Sequence, residues 1–414
     1  MKKALSLLLA ATMLAALWLP ATAEGKQREL IFWTRINDTF EEEIAAFEAL
    51  YPDVTVTRVG VGSSYDDLVT KYIAAAVSGE LPHVGLLSQR YGIPQIYDAG
   101  VLVPIERFMT EEEQNDIMAA YWERYTYNGE RVAVPFQSSM PVLYVNKALL
   151  TEQGVAAPTT WEEVQQAAAK LTLDTDGDGV TDVFGFNMPD DAPWYVNALV
   201  REMGGEIIHE DGSVSVDIPQ MVGVLRDMQR MTAEGSMPSN QHGTAKDDFK
   251  NGAVAMLFNS CAGNKSIAKG VEDKFEYALT TFPAIEGRVS APIGGNALGI
   301  FQSDADMEAL SWAFVQFMTS SDAVSGFTMD KGYLPIKYSF METDFVKARL
   351  ADDFWAATFD QVQHLQGQPV NPVDATIWSE LNDILSEIES DPGADVEKLV
   401  QNMQREVDDF LLDY

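Results

Sequence analysis

The chain has one cysteine, Cys261, so no disulfide can form within it. A fold of 414 residues must then hold together by burying apolar surface, and such a length favours two domains. Basic residues are also few: 28 Lys and Arg stand against 63 Asp and Glu, a net charge of −35. That balance opposes binding to nucleic acid or to an anionic lipid surface, and the excess acid reads as a solubilising surface. Histidine is scarce. His83, His209, His242 and His364 fall in unrelated contexts and read as surface or capping residues. There is no Gly-x-Ser-x-Gly elbow and no His-Glu-x-x-His, and Gly60-Val61-Gly62 lacks the third glycine of a dinucleotide loop. Carboxylate pairs of the kind a glycoside hydrolase uses are available everywhere in so acidic a chain, so their presence carries no information.

What is present begins with Lys2-Lys3, an apolar stretch from Ala4 to Leu19 and the small-residue ending Ala21-Thr22-Ala23. This is the pattern of a cleavable signal peptide over residues 1–23. No cysteine follows it to carry a lipid, so the expectation is an unanchored protein of a periplasm. Beyond it, apolar runs at Glu29–Trp33, Val54–Val56 and Val84–Leu87 alternate with helical spacings at 40–51, 68–76 and 93–98. Asp38 with Glu41, and Thr160 with Glu163, have the form of capping boxes. Strands alternating with helices predict βαβ units and a parallel sheet, with a ligand crevice beyond the carboxyl ends of the strands. Helical patterns dominate at 193–203, 218–234, 244–252, 306–319, 344–360 and 376–413. The absence of a flexible linker suggests that the backbone crosses between two lobes several times.

Five strings carry a resemblance. They are Val134-Pro135-Phe136-Gln137-Ser138-Ser139-Met140-Pro141-Val142-Leu143-Tyr144-Val145-Asn146-Lys147, Pro158-Thr159-Thr160-Trp161-Glu162-Glu163, Phe249-Lys250-Asn251-Gly252-Ala253-Val254-Ala255-Met256, Ile293-Gly294-Gly295-Asn296-Ala297-Leu298 and Lys331-Gly332-Tyr333-Leu334-Pro335-Ile336. In this order the chain resembles the extracellular solute-binding proteins of carbohydrate ABC importers, and within them the sn-glycerol-3-phosphate-binding branch. The resemblance implies a bilobed α/β fold of two discontinuous domains that closes on a small-molecule solute and docks on ABC permease subunits as a monomer. It implies no cofactor. The expected division is lobe 1 over 24–136, lobe 2 over 137–260, a return to lobe 1 over 261–325, and lobe 2 with C-terminal helices over 326–414. The ligand-lining candidates it implies are Tyr65, Gln89, Ser138, Ser139, Ser260, Cys261, Gly294, Gly295 and Tyr333. Aromatic faces suit sugar rings, and hydroxyls, amides and glycine-exposed backbone suit sugar hydroxyls. Ordinary packing stays open for the tyrosines, a turn or cap for the serines, and a small buried apolar residue for Cys261.

Two departures from the branch favour a neutral carbohydrate or polyol, with glycerol 3-phosphate as the alternative. Gln89 is neutral where the branch is acidic, and Gln366-Gly367-Gln368-Pro369-Val370-Asn371 holds no arginine where the branch has one. Arg35, Arg90 and Lys265 are the substitutes considered. Separately, Asp174, Asp176, Asp178, Val180 and Asp182 follow the spacing of a calcium loop, with Gly179 at the turn position, but Gly185 stands where that loop ends in a glutamate. A structural calcium and a solvated acidic turn are both open.

Overall fold

The computed structural model describes residues 27–88, 92–285, 291–320, 329, 331–362 and 364–414. The signal-peptide stretch, Gln89 and Arg90 lie outside the described residues.

The first half of the architecture follows from the alternation seen in the sequence. Strand β1 (Arg28–Arg35) leads to helix α1 (Glu41–Leu50), β2 (Val54–Gly62), α2 (Tyr65–Ser78) and β3 (Val84–Ser88). β1 lies between β2 and β3 and runs parallel to both. The chain then passes through a short helix α3 (Ala119–Glu123) into β4 (Val134–Ser139) and β5 (Pro141–Asn146). The second half adds α4 (Trp161–Leu171), α5 (Ala192–Glu202), α6 (Pro219–Ala233), β6 (Met256–Ser260), β7 (Tyr277–Thr280), β8 (Gly294–Ile300), α7 (Ala305–Ser320), α8 (Asp353–Val362), α9 (Asp374–Ser390) and α10 (Val396–Asp413). β8 inserts antiparallel between β3 and β4, completing a five-stranded sheet in the order β2-β1-β3-β8-β4. β5 sits between β6 and β7 in a three-stranded antiparallel sheet.

Each sheet has its own packing. Phe32 on β1 meets Phe40 and Phe314, and Phe47 meets Phe314 edge-on at 5.1 Å, so α1 and α7 seal one face of the first sheet. In the second, Phe258 on β6 is the hub: Phe186 at 4.8 Å, Phe282 at 4.6 Å, Tyr195 at 5.7 Å and Trp161 at 5.8 Å surround it. β5 is buried along its whole length, as a strand covered on both faces is, and its side chains alternate between two cores. Leu143 and Val145 join the Phe258 core, while Val142 and Tyr144 join the larger core continuous with the first sheet.

The expected return segment 261–325 is shared between the two sheets: β7 pairs with β5, whereas β8 pairs with β3 and β4. Likewise 331–336, from the expected final lobe-2 segment, packs with the first: Leu334 and Ile336 join its core and the Leu334 N–H donates to the Ser138 carbonyl at 2.8 Å. Thr160 caps α4 with Glu163 as its sequence predicts. Asp38 does not cap α1, because its carboxylate is taken by Arg35 three residues earlier.

Candidate functional site

The carboxyl ends of β1, β2 and β3 are directed to one edge of the first sheet, and the turn Ser139-Met140-Pro141 carries β4 into β5 beside that edge. Polar side chains collect there. Arg35, at the end of β1, donates two bonds to Asp38, Nε to Oδ2 at 3.1 Å and Nη2 to Oδ1 at 2.8 Å. Its guanidinium carbon lies 4.5 Å from the centre of the Tyr65 ring, a cation held over an aromatic face. Burial works against this charge, but Tyr65 and Asp38 outweigh it and the Arg35 pKa is raised. Tyr65 opens α2 directly after a complete Ser64/Asp67 capping box, which fixes where its ring starts.

Asn296 on β8 ties this wall together. Its Nδ2 donates to Tyr65 Oη at 2.9 Å and to Gln137 Oε1 at 3.0 Å, and Asn296 and Gln137 are both buried. Asn296 Oδ1 is buried with no partner among the described residues. The ladder forms because the two preceding glycines let strands approach. Gly294 and Gly295 pair with Ser139 and Ser138, and a Cβ on Gly295, whose φ is +111°, would lie 1.8 Å from the Gln137 carbonyl oxygen. Tyr333 comes to the same place from far along the chain: its phenol is raised in pKa by burial first and by Tyr65, and Arg35 acts in the opposite sense.

The second wall is built from helices. A Cβ on Gly294 would lie 2.6 Å from Trp194 Cζ2 and 2.8 Å from Ser139 Oγ, so Trp194, in the first turn of α5, closes directly on the β4–β8 edge. Trp194, Asn197 and Arg201 share one face of α5 by their spacing. With Arg124, Ile293, Gln366, Gln368, Asp374 and Trp378 they line a narrow crevice. Asn197 Nδ2 donates to Gln368 Oε1 at 3.1 Å, and Gln368 Nε2 donates to Asp374 Oδ1 at 3.0 Å. Arg124 Nη1 donates to the Gln368 carbonyl at 3.3 Å and Arg201 Nη2 to the Gly367 carbonyl at 2.7 Å. Burial lowers the Arg201 pKa to about 10, and the neighbouring Arg124 adds to the effect; burial raises Asp374 to about 6, against the pull of Arg124.

The structure therefore gathers Tyr65, Ser138, Ser139, Gly294, Gly295 and Tyr333 around one edge. Ser260 and Cys261 serve the neighbouring crossing from β6. Ser260 Oγ accepts from the Ala262 N–H at 3.2 Å. Cys261 is fully buried, its sulfur accepts from the Met140 N–H at 3.4 Å, and burial pushes its thiol up to about 12. Gln89 follows β3 directly but lies outside the described residues. Asn296 and Gln137 lie within the strings that carry the resemblance but are not among the candidates it implies. Trp194, Arg124, Arg201 and Asp374 were not identified; an aromatic directly after Pro193 at a helix start was the one local signal, and nothing in the spacing joins positions 124, 201 and 374.

In the acidic loop, carboxylate oxygens of Asp174, Asp176 and Asp182 lie within 4.8 Å of one another. Asp178 and Val180 are not part of that group; Asp178 Oδ1 accepts from the Val180 N–H at 2.8 Å. Asp174 accepts from Gly179 and Gly177, and these backbone bonds lower its pKa; bonds from Thr175 do the same for Asp182.

Comparison with known proteins accords with this geometry. A family model described as bacterial extracellular solute-binding protein matches residues 42–351. The maltotriose-binding protein of Pyrococcus abyssi is 22% identical over 397 residues, 93% of this chain and 83% of that protein. The sn-glycerol-3-phosphate-binding periplasmic protein UgpB of Rhizobium meliloti is 25% identical over 350 residues, 76% of each chain. Among solved structures, UgpB from Mycobacterium tuberculosis in complex with glycerophosphocholine superposes with a TM-score of 0.80 at 22% identity, covering 94% of this chain and 99% of that one. The last likeness shows the bilobed fold.

Proposed function

From the premise that this chain belongs to the bacterial extracellular solute-binding protein family, whose members here are binding proteins and not enzymes, we propose that it captures a carbohydrate or polyol in the cleft between its two sheets. The proposal includes delivery to the membrane permease of an ABC importer, from a periplasm reached through the signal peptide. The observation that carries it is the meeting of two unlike walls at the β4–β8 edge. One is the polar ladder Tyr65–Asn296–Gln137 with Arg35 and Tyr333; the other is the indole of Trp194. A sugar offers hydroxyls to the first and an apolar ring face to the second. A solute touching both walls only when they approach favours the closed state by that difference in affinity, which is hinge closure.

The test is calorimetric titration of the mature protein with mono- and oligosaccharides, polyols and glycerol 3-phosphate. Saturable one-site binding lost in Tyr65→Ala supports the reading. Absence of binding across the panel overturns it.

A calcium ion held by Asp174, Asp176 and Asp182 is proposed as a separate structural feature of its loop, on the strength of their convergence. Calcium should raise the melting temperature of the native protein and not of Asp174→Asn. An equal response of both, or of neither, removes it.

A further inference from the structure

We infer that the side-chain amide of Gln361 is a clasp across the hinge, a positioning residue that favours the closed form without touching the solute. The inference rests on the reading of the chain as a receptor that closes by a hinge, and it names the group that holds the two sheets at their junction.

The junction is made of backbone. The turn Ser139-Met140-Pro141 carries β4 of the first sheet into β5 of the second, and the chain leaving β7 returns to β8 in the first. β5 and β7 are paired as far as Leu143 opposite Thr280. Continuing that register by two residues sets Pro141 opposite Phe282, and there the amide of Gln361 stands between the strands. Its Nε2 donates to the Pro141 carbonyl at 2.9 Å, and its Oε1 accepts from the Phe282 N–H at 2.7 Å. An amide N–H only donates and a carbonyl only accepts, so these partners fix which way the side chain faces. Pro141 has no N–H, so its carbonyl is the one backbone group it brings to the gap.

The surroundings place this clasp between the lobes. Gln361 is fully buried in the last turn of α8 and is not among the residues lining the crevice. The adjacent Val362 joins the core of the first sheet, whereas Phe282 belongs to the core of the second. Just beyond α8, Leu365–Gln366 pairs in parallel with Ala291–Pro292 on the way to β8, so the same stretch of chain grips the return crossing again. On the other flank of the turn, the Cys261 N–H donates directly to the Met140 carbonyl at 3.0 Å. One flank is held by a backbone bond and the other through a side chain with several rotatable bonds, which tolerates a change of angle that a continuous ladder would resist. The β8 edge meets Trp194 across the cleft in this form, so the clasp belongs to the closed arrangement. Opening the junction lets water reach the Pro141 carbonyl and the Phe282 N–H, but in the closed form the buried amide serves both. Gln361 therefore stabilises the closed form more than the open one, and apparent affinity follows the closed population.

The experiment is calorimetry, stopped-flow kinetics and small-angle scattering on the full mature chain, wild type and Gln361→Met, with maltotriose, glucose, glycerol and glycerol 3-phosphate as probes. Gln361→Met keeps the length of the side chain and removes both bonds. Each probe that the wild type binds should bind about tenfold more weakly, with dissociation about tenfold faster and association within about twofold. The radius of gyration at saturation should match the wild type, because enough solute still closes the variant. A merely structural glutamine would lower the melting temperature and leave affinity unchanged well below it. Should Gln361→Met fail to fold, Gln361→Glu serves. Its carboxylate keeps the acceptor for Phe282 and loses the donor for Pro141, so affinity should fall about threefold or more near pH 8 and recover relative to wild type near pH 5, where the protonated acid donates again. Unchanged or tighter binding in the folded variant overturns the inference and leaves the receptor reading intact. No binding of any probe by the wild type overturns both.

Discussion

The two walls of the cleft are made by different means. On the first, side chains pair with one another: Asn296 donates to Tyr65 and Gln137, and Asp38 accepts from Arg35, while Asn296 Oδ1 has no partner among the described residues. On the second, side chains from α5, α9 and the turn after α3 meet across sequence separations of more than a hundred residues, and the Trp194 N–H has no partner among the described residues. A wall whose side chains hold one another is a rigid template. A wall with open donors gains from a ligand what it lacks alone, so the first should set the shape of the site and the second its chemical preference.

Substitutions can break or sharpen that contrast. The largest effect is expected at Gly295→Ala. A Cβ there collides with the Gln137 carbonyl from a left-handed backbone, and the cost should be about 3 kcal/mol in urea unfolding, with loss of binding. Retained stability and affinity would mean that the ladder does not depend on strand approach. Next is Asp374→Asn, read as stability against pH. Burial pushes the folded carboxyl up to about 6, above its ordinary value of 3.8. The folded state therefore holds the proton more tightly, and the wild type loses stability as pH rises through that interval. The variant has no such loss, so its stability relative to wild type should rise by about 2 kcal/mol between pH 4 and pH 6 and stay level above. A flat difference would show that Asp374 is ionised without penalty.

Asn296→Ala should cost about 1–2 kcal/mol, because it leaves the Gln137 and Tyr65 oxygens without their shared donor. The loss should appear both in unfolding and in affinity for every solute, as befits a template. Trp194→Phe is the smallest and the most selective. It keeps an apolar ring and removes the N–H, so stability should change by less than about 1 kcal/mol, while affinity for the bound solute falls about fivefold. An unchanged affinity would assign Trp194 to packing alone.

The same contrast explains how much of the protein its sequence discloses. The βαβ order of the first lobe is local, written in apolar runs and caps such as Thr160/Glu163, and most helices lie where their spacing puts them. Ser138, Ser139, Gly294, Gly295 and Tyr333 lie in short strings that carry the resemblance, and Tyr65 opens α2 at the same edge. Asp38 misled: as a cap it has the right spacing from Glu41, yet a two-pronged bond to Arg35 takes the carboxylate instead. The second wall was illegible for a simple reason. Arg124, Trp194, Arg201 and Asp374 meet only through the packing of α5 on α9 and the crossing of 366–372, and periodicity does not encode a contact between distant elements. The segment 366–371 has no arginine of its own, yet its Gly367 and Gln368 carbonyls accept from Arg201 and Arg124, which come from distant elements.

The central claim, that both walls grip one solute, is tested most directly by small-angle X-ray scattering of the mature protein with and without a solute identified by calorimetry, in wild type and in Tyr65→Ala. Closure on a solute held by both walls predicts a smaller radius of gyration on saturation of the wild type, and no change in the variant at the same solute concentration. An unchanged radius in saturated wild type would contradict hinge closure between these walls.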